Sequence, residues 1–568
     1  MRASRRAGRP TAFSARLAPL ALFVGVVVLY GATYSSVPTS DGYEWVAVID
    51  RGDPREMLPA YHALPMYAFF GLGRLLGTAG LPVATLPLIQ GVNAVLAGAG
   101  AVLLYATVRV MGGGRALGLV GGGLLAVSFA FWYFASGELH HVSLVLLQAI
   151  FVLILRARAR GAVLRWPALI GLGALNALAA LCHQENFLFG FAAVALLMAA
   201  RPLREGARDA VVYTLAGSAA TGVLAVLIDV GPRGSRSLGE FLRWFFWIAY
   251  AAGDPQPYRL GNAASAALRM AKGQLTALTF GAQVVTDASR DPALLRIPAV
   301  LGLAALTVLS LAIAMALLAA LWRRRRALSP ALRVAAAGCL AWIAAYKLLL
   351  HWWFWPTSPE YHMVTQPPLV LLLLLGPIAA RAELGSGRPF PAGAIGAPLA
   401  LLLLVAVTNF AGAMRPWSRY GAMKEALAAK AVTALRADDL LISSESGIDP
   451  VLAGTGEHLR VKDVFVAAPK DVGFARLRAA IAGQLAAGRR VFVYNLIPSP
   501  FTLLGMAHAA AARGDVAPTG EDFERFAAEL ARDYALVPAL SYWEESREPL
   551  YLFGRRSEQI WQVTPRNP

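Results

Sequence analysis

The residues of this chain that could do chemistry are few and fall in short groups. Asp41 and Glu44 form one; Glu138, His140 and His141 form a second; His183 and Glu185 form a third; Lys347, His351, Glu360 and His362 lie close together in a fourth. His62 stands alone between the first two. Carboxylates beside imidazoles can take a proton from a hydroxyl or return one, and the same donors can ligate a divalent cation. No HExxH-type spacing is present, so ligand chemistry alone speaks for a metal. The expectation is no certain cofactor, with a divalent cation the less favoured alternative. Lys347 and His351 are four apart and share a helical face. Either Lys347 snorkels to an interface or it meets a lipid phosphate. Plainer accounts stand beside these readings. Asp41 and Glu44 can be hydrated loop acids, and Glu138 with its two histidines can be a helix start favoured by the macrodipole.

The elements that must position these residues follow from composition. Of 568 residues, 57% are hydrophobic and 15% charged, well below the roughly 25% charge of a soluble domain. The apolar residues gather into blocks near the ~20 residues that a bilayer core demands. Eleven such blocks are legible, at 17–34, 81–108, 116–134, 141–155, 166–181, 187–200, 210–230, 294–321, 331–353, 363–380 and 392–413. The expected fold is therefore an α-helical polytopic membrane domain, 1–414, followed by a C-terminal α/β domain, 415–568. In the latter, β-like runs at 439–443, 490–495 and 550–553 alternate with helical stretches at 474–485 and 523–530. Cys182 and Cys339 are the only cysteines, each within or beside an apolar block, and read as small core residues rather than a disulfide or zinc framework.

The net charge of +18 comes largely from arginines in the short connections. These precede span one (Arg2, Arg5, Arg6, Arg9) and join spans two and three (Arg109, Arg115), four and five (Arg156, Arg158, Arg160, Arg165), six and seven (Arg201, Arg204, Arg208), eight and nine (323–326), and ten and eleven (Arg381, Arg388). With eleven spans all of them fall on one side, which the positive-inside rule makes the cytoplasm. The excess is an orientation signal and calls for no nucleic acid. It also decides the segment 61–76: counted as a span, it would reverse every later loop, so it reads as an interfacial helix in a first outer loop, 35–80. The aromatic stretch 241–250 reads the same way within a long outer loop, 231–292. Every acidic and histidine group named above then lies on the outer face, and the tail domain lies outside the cytoplasm. Ionisable groups at membrane depth are costly and mark function.

Certain motifs are familiar. Ser40-Asp41-Gly42-Tyr43-Glu44 after the first span resembles the first-loop acidic motif of the GT-C superfamily, membrane glycosyltransferases that use polyprenyl-phosphate sugars. Tyr61-His62-Ala63-Leu64-Pro65 with Gly73-Arg74-Leu75-Leu76 is similar to the interfacial helix of many bacterial members. Glu138-Leu139-His140-His141 resembles their second acidic turn. His183-Gln184-Glu185 and the stretch 356–368 around Glu360 and Tyr361 are also similar. The resemblance covers about residues 10 to 413. It departs at Asp41 and Glu44, where many relatives carry adjacent acids or Asp-x-Asp.

The resemblance implies inverting transfer of a sugar from a polyprenyl-phosphate donor to the hydroxyl of a lipid, glycan or protein acceptor, on the outer face of a bacterial inner membrane. Asp41 would be the base and Glu138 would share the work or orient the acceptor, helped by His62 and His141. Lys347, with Arg233 or Arg236, would hold the phosphate. Glu44, His140, His183, Glu185, His351, Glu360 and His362 would line the substrate site, and the tail would position an acceptor. A transporter or flippase is the rival reading, and would place charged or broken helices near the midplane. Here the deepest polar residues, Gln90, Asn93, Gln148 and Asn176, are neutral. A non-catalytic scaffold of GT-C type is the third.

Overall fold

The computed structural model describes residues 12–35, 40–54, 57–58, 62, 64–199, 201–234, 237–245, 263–290, 292–351, 358–384, 392–444, 457–498, 503, 506, 510, 513–542 and 558–566. Its residues group into two compact units. The first comprises Met1–Tyr34, Val48–Trp247 and Asp254–Arg415, and the second Ser35–Ala47, Ile248–Gly253 and Pro416–Pro568.

The first unit is a helical bundle of a multi-pass membrane protein. Among the described residues, seven helices are long and apolar enough to cross a bilayer: Thr85–Val110, His140–Ala159, Leu203–Pro232, Pro298–Arg324, Pro330–His351, Met363–Glu383 and Ile395–Ser418. Shorter apolar helices occupy Leu17–Thr33, Trp166–Cys182 and Gln184–Met198. The block expected as the third span is not a straight rod. Arg115–Val127 and Phe129–Ser136 meet at 62°, because Ser128 is extended and interrupts the helical hydrogen-bond ladder. A carbonyl freed in an apolar interior must find a donor. Asn409 supplies it, its Nδ2 donating to the carbonyls of Val127 at 2.7 Å and Leu278 at 3.0 Å. The expected interfacial helix is a helix at Pro65–Thr78, with proline at its first turn, where the missing N–H is free of cost. Of the stretch 241–250, the described part belongs to a helix at Leu238–Phe245.

Helix packing in the bundle relies on small residues. Trp166–Cys182 crosses Leu203–Ile228 at Gly173 and Gly217, where a Cβ on Gly173 would lie 2.6 Å from the Tyr213 carbonyl oxygen and 2.8 Å from the Gly217 nitrogen. Backbones this close need glycine at the crossing. Cys182 and Cys339 are buried free thiols.

The second unit contains a five-stranded sheet. We number its strands β1 (Leu440–Ser443), β2 (Glu457–Arg460), β3 (Val491–Tyr494), β4 (Tyr534–Tyr542) and β5 (Glu558–Pro565). Their order is β2-β1-β3-β5-β4; β1 pairs in parallel with β2 and β3, while β5 runs antiparallel to β3 and β4. The central strands read Leu-Leu-Ile-Ser and Val-Phe-Val-Tyr, buried at every position, as strands covered on both faces must be. Leu440, Ile442, Val491 and Val493 pack with Phe465, Phe474, Leu477, Phe523 and Phe526 on one face. Leu441, Phe492, Tyr494 and Ile560 pack with Leu427 and Ala431 on the other. The runs expected at 439–443 and 490–495 are β1 and β3, and the helical stretches are Lys470–Ala486 and Gly520–Asp533. The run 550–553 lies outside the described residues.

Candidate functional site

The helices of the first unit carry their ionisable residues at their ends. His140–Ala159 begins with histidines and ends with Arg156 and Arg158. Trp166–Cys182 follows Arg165 and ends against His183. Pro298–Arg324 ends in arginines, and the next helix runs on into Lys347 and His351. Such alternation gathers imidazoles and carboxylates at one end of the bundle.

At the centre of that end stands His140. Its Nε2 lies 3.0 Å from Oε1 of Glu360. Its ring centroid is 4.6 Å from that of His183 and 5.7 Å from that of His62, and His62 and His183 are 4.6 Å apart, edge to face. Nδ1 of His62 donates to the Cys182 carbonyl at 3.0 Å, which fixes the ring on the helix end beside His183. His62, His140 and His183 are all buried, and so is Glu138. Burial, and next the charge of His140, push His62 down to about 3. Burial likewise holds His183 well below the usual imidazole range, with His140 and His62 adding to the effect. Both rings are therefore neutral at ordinary pH and available as ligands or hydrogen-bond partners.

Among the described residues, two sets of donors lie close enough to share an ion: His140, His183 and Glu185, and Glu138, His140 and Glu360. Within each set the donor atoms are all within 4.8 Å of one another. Nδ1 of His183 stands 3.6 Å from Oε1 of Glu185, beyond hydrogen-bond reach. That nitrogen and Oε2 of Glu185 are buried with no hydrogen-bond partner. The large majority of buried side-chain polar atoms have a partner, so these two atoms fit a divalent cation with mixed nitrogen and oxygen ligands.

The turn that carries Glu138 is held from below. Nδ2 of Asn93 donates to the carbonyls of Ala135 at 3.0 Å and Glu138 at 2.7 Å, and Nε2 of Gln90 donates to that of Ser136 at 2.9 Å. The sequence marks both amides only as deep neutral polar residues. Their spacing of three on one helix face, below an acidic turn, was the available signal of a positioning role. Tyr346 and Asn186 do the same for the 183–185 turn, the tyrosine hydroxyl donating to Oδ1 of Asn186 at 3.0 Å.

Beside this cluster lies a second, built from one lysine and two imidazoles. Nζ of Lys347 contacts Nδ1 of His362, and the His351 and His362 rings meet edge to face with centroids 4.3 Å apart. His351 and His362 are fully buried. Glu360 is two residues before His362, so one short segment serves both clusters.

Five of the expected site residues are placed differently or beyond description. His141 turns away from the cluster. Its Nε2 donates to the Phe131 carbonyl at 2.9 Å and its ring packs on Phe131, because adjacent residues at a helix start point about 100° apart. Asp41 and Glu44 belong to the helix Ser40–Arg51, but their side chains, with those of Arg233 and Arg236, lie outside the described residues.

No protein-family model matches the chain, and no curated protein matches it. Solved structures do. An oligosaccharyltransferase from Archaeoglobus fulgidus, in its apo form, is 12% identical over 86% of this chain and 70% of its own, with a TM-score of 0.47. The arabinofuranosyltransferase AftD from mycobacteria is 14% identical over 97% of this chain, with a TM-score of 0.43, and this chain spans 40% of its length. ArnT from Cupriavidus metallidurans, bound to undecaprenyl phosphate, is 13% identical over 97% of this chain and 98% of its own, with a TM-score of 0.33.

Proposed function

We propose that this chain is a GT-C-type glycosyltransferase, moving a sugar from a polyprenyl-phosphate donor to an acceptor hydroxyl at the outer face of a bacterial inner membrane. One observation carries the reading: Glu138, His140, His183, Glu185 and Glu360 converge from three separate turns beside the half-buried Lys347–His362 contact. A lipid-phosphate sugar needs two things from its enzyme. A carboxylate must take the acceptor proton, and cationic donors must stabilise the departing phosphate. In our reading Asp41 is the base for inverting attack at the anomeric carbon, Glu138 orients the acceptor, and Lys347 with His351 and His362 receives the phosphate. His140, His183 and Glu185, or Glu138, His140 and Glu360, would hold a divalent cation, which would neutralise phosphate charge. His62 fixes the cluster through its bond to the Cys182 carbonyl.

The orientation belongs to the same proposal. The arginine-bearing ends face the cytoplasm, as does the N-terminus, so the cluster and the C-terminal α/β domain, 415–568, are extracytoplasmic. The helix Pro65–Thr78 then lies along the outer interface, and the tail domain positions an acceptor, whether lipid, glycan or protein.

The test is direct. Purified protein is incubated with a panel of labelled polyprenyl-phosphate sugars, and release of polyprenyl phosphate is followed together with movement of the label across vesicles. Consumption of one donor with transfer to an acceptor supports the reading. Movement of intact donor across the bilayer, without consumption, would replace it with a flippase.

A further inference from the structure

The helix that begins at His140 ends in a second buried charge cluster, about 27 Å away at 1.5 Å per residue. There Arg158 is almost wholly buried, its side chain 2% exposed, and Asp209 is fully buried. Nη2 of Arg158 donates to Oδ2 of Asp209 at 3.2 Å and to the Leu197 carbonyl at 2.8 Å. Arg201, 11% exposed, pairs with Glu205 at 2.9 Å and stands 3.8 Å from the same Asp209 oxygen. Arg208, half-exposed, reaches the other Asp209 oxygen at 3.3 Å.

Three guanidinium groups thus share one buried carboxylate and one exposed one. Nε and Nη1 of Arg158 and Nε of Arg201 are buried with no hydrogen-bond partner. Burying a guanidinium without satisfying its donors is costly, and the planar fork matches a phosphate oxyanion. The surrounding surface says where that phosphate comes from. Arg204, Arg208, Val211 and Leu215 follow at spacings of four, three and four along one face of Leu203–Ile228. Both arginines are exposed, and Val211 and Leu215 are 55% and 65% exposed. Cations giving way to exposed apolar side chains along a helix is the pattern of a headgroup-to-acyl boundary, and basic pockets between helices on this side of a bilayer take anionic headgroups.

We propose that Arg158, Arg201 and Arg208 bind the phosphate group of an anionic phospholipid in the leaflet opposite the histidine cluster. The site does not depend on the proposed activity. Delipidated protein in neutral detergent is titrated with phosphatidylglycerol, phosphatidylcholine or inorganic phosphate, with retained lipid read by native mass spectrometry and melting temperature alongside. The variant Arg201→Gln with Arg208→Gln leaves the Arg158–Asp209 pair intact and keeps the fold testable; Arg158→Gln is the second variant. Wild type is expected to retain phosphatidylglycerol at least tenfold more tightly than phosphatidylcholine, a preference the double variant loses. Stabilisation by inorganic phosphate alone, lost in the same variant, supports the oxyanion site and assigns it a free phosphate. Equal retention of both lipids by wild type without a phosphate response, or an unchanged preference in the folded variants, overturns the proposal.

Discussion

Nε2 of His140 lies 3.0 Å from Oε1 of Glu360, although 220 residues separate them in the chain. The bond ties the start of one membrane helix to the segment that precedes another. It also joins the imidazole and carboxylate cluster to the one around Lys347, since His362 contacts that lysine two residues further on.

If Glu360 is a cation ligand rather than a brace, its charge matters more than its shape. Glu360→Gln preserves a hydrogen-bonding partner for His140 but removes the anion. We expect it to weaken binding of Mn²⁺ or Zn²⁺ by about tenfold or more, the range seen when a ligand or its support is lost, with little change in melting temperature. Isothermal titration of purified protein reads this. Equal metal affinity in variant and wild type would return Glu360 to a structural role.

The proposed base makes a sharper demand. Asp41→Asn should lower transfer about 10²- to 10⁴-fold, the usual worth of general-base catalysis, and Glu138→Gln should cost less if it only orients the acceptor. The kcat and KM of both variants, measured with whichever donor is consumed, separate the two roles. Full activity in Asp41→Asn removes the base. Accessibility labelling that puts residue 41 on the same side as 323–326 removes the topology as well.

Acid should destabilise the bundle in a defined window. His62 is held at about 3 when folded, chiefly by burial, and titrates near 6.5 when unfolded. Between those values the unfolded chain binds the extra proton, so stability is complete above about pH 6.5 and declines as pH falls toward 3. His183 acts in the same direction. Melting temperature followed from pH 7 to pH 4 should fall, and His62→Gln should flatten the slope. An unchanged slope would mean that the ring is protonated within the fold.

Much of this was legible in the sequence because lipid leaves few choices. Each of the eleven apolar blocks contains a helix, and several of the histidines and carboxylates expected at their ends do gather there. Less legible was whatever depends on a side chain crossing between helices. The 62° break at Ser128 reads in sequence as continuous apolar chain, and is tolerated because Asn409, far along the chain, takes the freed Val127 carbonyl. His140 and His141 are neighbours with the same chemistry, yet one faces Glu360 and the other the Phe131 carbonyl. In the tail, β1 and β3 stood out as short buried apolar runs, whereas β2 reads Glu-His-Leu-Arg and is a strand only because it can pair with β1 at the sheet edge.

The tail domain offers an independent check on its helix boundaries. Thr519 and Asp522 form a reciprocal capping box at the start of Gly520–Asp533, with the Thr519 backbone N–H donating to Oδ2 of Asp522 at 2.8 Å. Thr519→Ala should cost about 1 kcal/mol and Thr519→Ser almost nothing, read by chemical denaturation of the full chain followed through a probe in the tail. Equal losses in both would mean that the methyl group, not the hydroxyl, carries the effect.

Packing in the bundle can be tested on a single helix with its own control. A side chain at Gly173 would collide with the backbone of Tyr213 and Gly217 on the neighbouring helix, and backbone atoms cannot swing aside as a side-chain tip can. Two residues earlier, nothing lies within 4 Å of a Cβ on Gly171. Both glycines leave the same helix and gain the same intrinsic propensity on replacement, roughly 1 kcal/mol. Gly173→Leu must therefore separate two helices at an overpacking cost of about 1–3 kcal/mol or more, while Gly171→Leu should be neutral or stabilising. Because Trp166–Cys182 ends at the His183 turn, the first variant should also loosen that turn, lowering metal affinity along with melting temperature. A Gly173→Leu protein that melts and binds metal like wild type would show that the two helices do not meet at this glycine pair.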